Sequence, residues 1–274
     1  MQRTTVFWII AFLLTAATAY YQRVTGPTYE LTGTVLIDGK EVRYKLERSH
    51  GGSANALVEI NTADSSIHGY LEWKRYKTSD EWRRAGMEYR NGILSAELPH
   101  QPPAGKLLYR VLLRRDELTA VAPREGSVVI RFRGDVPLAI LIPHILAMFG
   151  AMFLSARTGL ECFSKNPQYG KLIAWTLGFL FAGGLILGPA VQLYAFNAWW
   201  TGWPIGTDLT DNKTAVAFLA WTAAAIAIRK SEKKKRWVLG AAAVTLIIFL
   251  VPHSLFGSEL DYNTQDAPPA ESTR

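Results

Sequence analysis

A chain of 274 residues is long enough for one ordinary domain and a small helical bundle. Its hydrophobic fraction of 49% is near average, but the apolar residues collect in long blocks after Asp135, which excludes an evenly soluble globular chain. The formal net charge is +7, and the densest basic run, Arg229–Arg236, is wedged between two apolar blocks. That placement points to a loop at a membrane face, in contact with anionic headgroups, and away from nucleic acid. A single cysteine, Cys162, excludes a disulfide within the chain.

The first apolar run is Val6 to Tyr21, preceded by Arg3. It is short for a spanning helix, which needs about 20 residues. Ala17-Thr18-Ala19 fits the small-x-small pattern of a signal-peptidase site. Residues 1–21 therefore read as a signal anchor or a cleaved signal peptide. Tyr20 and Tyr21 extend the run to the interface and favour the anchor. Either reading exports the chain immediately after Tyr21.

From Thr28 the period switches to two, which marks half-buried strands. Leu31, Gly33, Val35 and Ile37 alternate with polar residues, Asp38-Gly39 turns the chain, and Val42, Tyr44 and Leu46 alternate back. Ala56, Val58 and Ile60 form a short strand, and Ile67, Leu71 and Trp73 another. Met87 and Tyr89 lead into the turn Asn91-Gly92, from which Leu94, Ala96 and Leu98 return. Leu107 to Leu113 and Val128 to Phe132 complete an antiparallel sandwich or barrel over residues 28–135.

Beyond it lie four more apolar blocks: Val136–Ala156, Leu172–Phe196, Thr214–Ile228 and Trp237–Val251. The basic residues fall unevenly between them. Arg157, Lys165 and Lys171 come after the first block, and six Lys/Arg separate the last two. The loop Asn197–Lys213 has Lys213 alone, and the tail after His253 is acidic. The asymmetry puts the basic loops in the cytoplasm, and the β domain and the C-terminus outside it. Trp199, Trp200 and Trp203 in the outer loop and Trp237 and Trp175 near the inner ends fit aromatic belts. Gly184 and Gly188 form a small-xxx-small pair suited to close helix packing. Residues 136–253 thus read as a four-helix transmembrane domain, and 254–274 as an acidic tail.

These residues carry two resemblances. The stretch 69–113, with GYLEWKRYKTSDEWRRAGM and then GILSAELPHQPPAGKLLYRVLL, resembles an immunoglobulin-like or fibronectin-III-like sandwich. That resemblance implies binding or spacing more often than catalysis. The whole chain resembles uncharacterised bacterial polytopic inner-membrane proteins, through YYQRVTGPTY, GDVPLAILIPH and PHSLFGSELDY. This second resemblance implies a location and no activity. The fold class expected is a membrane α-helical bundle of four or five transmembrane helices with an inserted all-β immunoglobulin-like domain.

Two histidines stand out as candidate ligands. His144 lies inside a spanning block, where an ionisable residue is costly and marks a functional suspect. It precedes Arg157 by 13 residues, about 20 Å at ~1.5 Å per residue. His253 comes 17 residues after Arg236, about 25 Å by the same rise. Two imidazoles at similar height could share a haem iron or a transition metal. Asp208, Asp211, Glu259 and Asp261 fall near the same level and could complete a cation site. Without a ligand, His144 would bond a carbonyl freed by Pro143, and His253 would cap a helix. Asp211 or Thr210 is placed to cap the fourth block.

The chain has no C-x-x-C-H, H-E-x-x-H, G-x-S-x-G or P-loop lysine motif. Apart from His144, no charged residue is expected deep in a span, which argues against an ion relay. The functional expectation is a non-enzymatic integral membrane protein with an exported binding or scaffold domain. It would serve as an accessory or assembly subunit of an envelope complex, with a membrane or periplasmic protein partner beside the lipid bilayer and no nucleic acid. The alternative is a membrane haem or metal protein using His144 and His253.

Overall fold

The computed structural model describes residues 2–206, 208–252, 257 and 259–262, with the side chains of residues 2 and 3 excepted. It divides into two compact units. One is helical and comprises Met1–Pro27 and Val136–Ser258; the other is β and comprises Thr28–Asp135 with the described part of Glu259–Arg274.

Eleven strands build the β unit: β1 Leu31–Ile37, β2 Lys40–Leu46, β3 Ser49–Gly51, β4 Ala56–Asn61, β5 His68–Arg75, β6 Arg83–Gly86, β7 Glu88–Arg90, β8 Ile93–Leu98, β9 Lys106–Arg115, β10 Leu118–Ala122 and β11 Val128–Arg133. β1 and β2 form a hairpin, β4-β8-β7 a second sheet, and β3-β11-β9-β5-β6 a third, with β10 also paired to β9. Both turns read from the sequence are hairpin turns. Asp38 and Gly39 have φ of 48° and 74°, and Asn91 and Gly92 have 52° and 88°. Two consecutive positive φ values match the right-handed twist of the strands they join.

The strand β9 is the centre of the largest sheet. β5 pairs along it from His68↔Arg114 to Arg75↔Leu107. On its other edge β11 pairs with Lys106–Tyr109 and β10 with Val111–Arg115. Strict alternation puts Leu107, Tyr109, Val111 and Leu113 inward, all at 1% exposure or less. They join Val35, Val42, Ile60, Leu71, Leu94, Leu98, Ile130 and Phe132 in one apolar cluster fed by all three sheets. Trp73 packs against that cluster. The buried Tyr109 hydroxyl donates to the Glu47 carbonyl at 2.8 Å, and burial pushes its pKa up. The short strands β3 and β6 have no apolar alternation, β10 alternates only through Leu118 and the small Ala120 and Ala122, and the sequence pattern does not mark them.

The helical unit holds α1 Gln2–Thr25, α2 Leu138–Glu161, α3 Tyr169–Phe179, a π-helical stretch Leu180–Leu187 that continues into α4 Gly188–Phe196, α5 Leu209–Lys230 and α6 Lys234–Leu250. Three of these helices are long and apolar enough to cross a membrane: Thr4–Thr25, Leu138–Glu161 and the continuous Tyr169–Phe196. The first exceeds the expected Val6–Tyr21 at both ends, and in its last turn the Thr25 hydroxyl donates to the Tyr21 carbonyl. α1 packs on α2 and α6: Trp8 meets Phe153 at 5.2 Å, and the Gln22 amide reaches the carbonyls of Phe249 and Val251. α2 also packs on α3, and α5 on α3 and α6.

Glycine sets the closest approach. A Cβ on Gly183 would stand 2.7 Å from Ala147 Cβ, and one on Gly150 would strike the Phe179 ring at 2.6 Å. The pair expected at Gly184 and Gly188 is thus displaced. Gly183 and Gly184 make the tight contacts, within the chain, while a Cβ on Gly188 would meet nothing nearer than 3.5 Å.

Candidate functional site

On the outer face of the large sheet, β5 contributes Tyr70, Glu72 and Lys74, the residues that alternate with the buried Leu71. Because β5 lies between β6 and β9, Glu72 is opposite Arg84 on one side and Arg110 on the other. Arg84 Nε donates to Glu72 Oε1 at 2.8 Å, and Arg110 Nε donates to Oε2 at 2.7 Å. The glutamate is 5% exposed. Burial pushes its pKa up, but the hydrogen bonds and charges of Arg84 and Arg110 outweigh this and hold it below the usual glutamate value.

Aromatic rings complete the face. Arg110 lies 4.6 Å from the Trp82 ring centroid, Lys74 lies 5.6 Å from the same ring, and Arg84 lies 5.5 Å from Tyr70. Trp82 is 36% exposed. Three cations therefore stand against one carboxylate, and the N–H groups that Glu72 does not take remain for another acceptor. The chemistry suits recognition of a carboxylate: the face grips one already, its own.

A second polar cluster closes the C-terminal return of the β unit. Leu260 N–H donates to the Ala104 carbonyl at 3.1 Å. The Tyr262 hydroxyl accepts from Lys106 N–H and donates to Gln101 Oε1, each at 3.0 Å. Glu259 bonds Lys106 at 2.7 Å and Lys77 at 2.9 Å, one lysine per oxygen. Burial raises the Glu259 pKa, and the two lysines more than offset this, so it titrates below its ordinary value. Asp261 is exposed.

The other candidate ligands belong to the helical unit. Asp208 caps α5, accepting from Thr210 N–H at 2.7 Å. Neither Asp211 nor Thr210 is the cap. Asp211 instead receives the N–H groups of Thr201 and Gly202, at 2.7 and 3.1 Å, and ties down the tryptophan loop. Asp208, Asp211, Glu259 and Asp261 are thus split between the two units, each with its own task where a bond is resolved. His144 Nδ1 lies 2.9 Å from the Gly183 carbonyl. That carbonyl belongs to the π-helical stretch of the facing helix and not to a turn opened by Pro143. His253 lies outside the described residues. Among the described residues no group of three or more His, Cys, Asp or Glu side chains is placed to hold a metal ion. No protein family, curated protein or solved structure matches the chain.

One charged pair lies deeper than the sequence pattern suggests. Arg157, expected in the loop after the block Val136–Ala156, is 3% exposed and pairs at 2.7 Å with Glu161, which is 6% exposed. Arg157 also lies 5.1 Å from the Trp8 ring and 5.6 Å from Phe7, on α1. The spacing i, i+4 at the end of an apolar run is the signal that marks such a pair.

Proposed function

We propose that this chain is a non-enzymatic integral membrane protein that presents its β unit outside the cytoplasm as a binding domain for an acidic protein partner. In this reading all five apolar blocks span a bacterial inner membrane, α1 is retained as an anchor, and the β unit is an immunoglobulin-like sandwich. Three long apolar helices support a membrane location. The packing of α1 against α2 and α6 supports retention. The observation that carries the binding role is the Arg84–Glu72–Arg110 ladder with Lys74 and Trp82, a face whose cations outnumber its carboxylate, two of them against the exposed Trp82 ring.

The test places a photo-crosslinking residue at Trp82 and isolates adducts from intact membranes. An acidic protein is expected in the adduct and is expected to be lost in Lys74→Glu. Equal adduct in Lys74→Glu and Arg84→Glu, with the β unit folded, would refute the binding role.

A further inference from the structure

Between α1, α2 and α6 lies a cleft of about 220 Å³. It runs along α2 from Met152 to Leu160, about 12 Å at ~1.5 Å per residue, on to Phe163 just past the helix end, and along α6 from Leu239 to Leu246. Apart from a few hydroxyl-bearing side chains its lining is apolar. A buried apolar cavity of about 150 Å³ stays dry and takes up an apolar guest, because ordered water needs two to four polar partners.

Two observations distinguish the cleft from a packing gap. Thr15 and Ser155 both line it, are 8% and 2% exposed, and have hydroxyls with no hydrogen-bond partner. On the same helices Thr18, Thr158 and Thr245 return their hydroxyls to the carbonyl four residues back. Unpartnered buried hydroxyls are costly, and an occupant with ester oxygens supplies acceptors. The second observation is charge at one end. Lys235 Nζ lies 5.1 Å from the centroid of Phe163, which lines the cleft. Lys235 is exposed and stands in Lys233–Arg236, with Glu232 the one acid in Arg229–Arg236.

We infer that the cleft holds an acyl chain of an anionic phospholipid whose phosphate is gripped at Lys235. The apolar lining selects a chain, and the basic end selects the headgroup. The site rests on the membrane reading and is independent of the β face, so either can fail alone.

The full chain, extracted in mild detergent, would be incubated with vesicles of equimolar phosphatidylglycerol and phosphatidylcholine. It would then be re-isolated and its retained lipid identified by mass spectrometry. Phosphatidylglycerol is expected to be enriched about fivefold, the factor one lysine contributes near an anionic surface. Lys235→Glu, an exposed change that leaves packing intact, is expected to abolish the enrichment. Ala243→Phe, which fills the cleft, is expected to abolish retention. Retained lipid that mirrors the vesicles, or no retained lipid, would overturn the site. Enrichment lost in Lys235→Glu but kept in a folded Ala243→Phe would mean surface attraction alone and would also overturn it. If Ala243→Phe does not fold, Leu246→Trp, also in the lining, takes its place, and enrichment kept there would likewise overturn the site.

Discussion

The two units bury different things. In the β unit the interior is Leu, Val, Ile and Phe on alternating positions, with the charged ladder on the outer face. In the helical unit the exterior is the apolar part: Phe12, Leu13, Ile142, Leu146, Phe181 and Ile186 are among its exposed residues. Its interior joins an apolar cluster around Leu180 and Trp221 to buried polar side chains, among them Thr158, Thr176, Thr245, Arg157 and Glu161. Water makes apolar burial the driving force for the first unit. In the membrane setting proposed for the second unit, lipid removes that force and leaves small residues, hydroxyls and a buried ion pair to hold it.

Core truncation should separate the units most sharply. Leu71→Ala, at a site with 0% exposure, is expected to cost the β unit ~2–5 kcal/mol. The loss would be read as a lower urea midpoint for proteolytic cleavage within 28–135, with the helical unit unmoved. Cleavage of both units at the same midpoint would show that they do not unfold separately.

Glycine substitution gives the reverse contrast. Gly183→Val must displace Ala147 and is expected to cost the helical unit ~1–3 kcal/mol by overpacking. Gly86→Val, with nothing within 4 Å, should leave the β unit unchanged. Thermal denaturation of both variants in detergent checks the pair.

The ladder predicts a pH dependence confined to the β unit. The Glu72 pKa is depressed on folding, so its stabilisation is fully present above the unfolded glutamate value, near 4.3, and is lost as pH falls through the lower folded value. Arg110→Met removes one partner, leaves Glu72 buried with Arg84, and is expected to cost ~1–3 kcal/mol at neutral pH. It should also move the acid transition upward. An acid midpoint unchanged in Arg110→Met would show that Glu72 does not control it.

The smallest effect belongs to the helical interior. Trp221 is fully buried, and its Nε1–H donates to Thr245 Oγ1 at 2.9 Å. Trp221→Phe is expected to cost only ~0.6 kcal/mol from the lost bond, the average measured between membrane helices, plus the smaller ring. A loss several times larger would mean that water-like energetics hold inside this unit.

Period and turn chemistry made the seven main alternating runs of the β unit and both hairpins legible in the chain. A period of two survives any tertiary arrangement, and Asp38-Gly39 and Asn91-Gly92 carry their own φ preference. The long apolar helices were legible for the same local reason: about 20 apolar residues are needed to cross a bilayer, and length and composition state that directly. The strands β3, β6 and β10 were not: Ser49–Gly51 and Arg83–Gly86 have almost no apolar residues to alternate, Leu118–Ala122 has mostly small ones, and each is defined by the partner it pairs with. Nor could the sequence show that Glu72, Arg84 and Arg110 form one ladder. Arg84 and Arg110 lie 12 and 38 residues from Glu72, and only the pairing of β5 with β6 and β9 makes them neighbours. The Gly183 carbonyl opposite His144 and the burial of the Arg157–Glu161 pair against α1 were decided in the same way, by which helix faces which. Local preference fixed the elements, while register and packing, which depend on distant residues, fixed the sites.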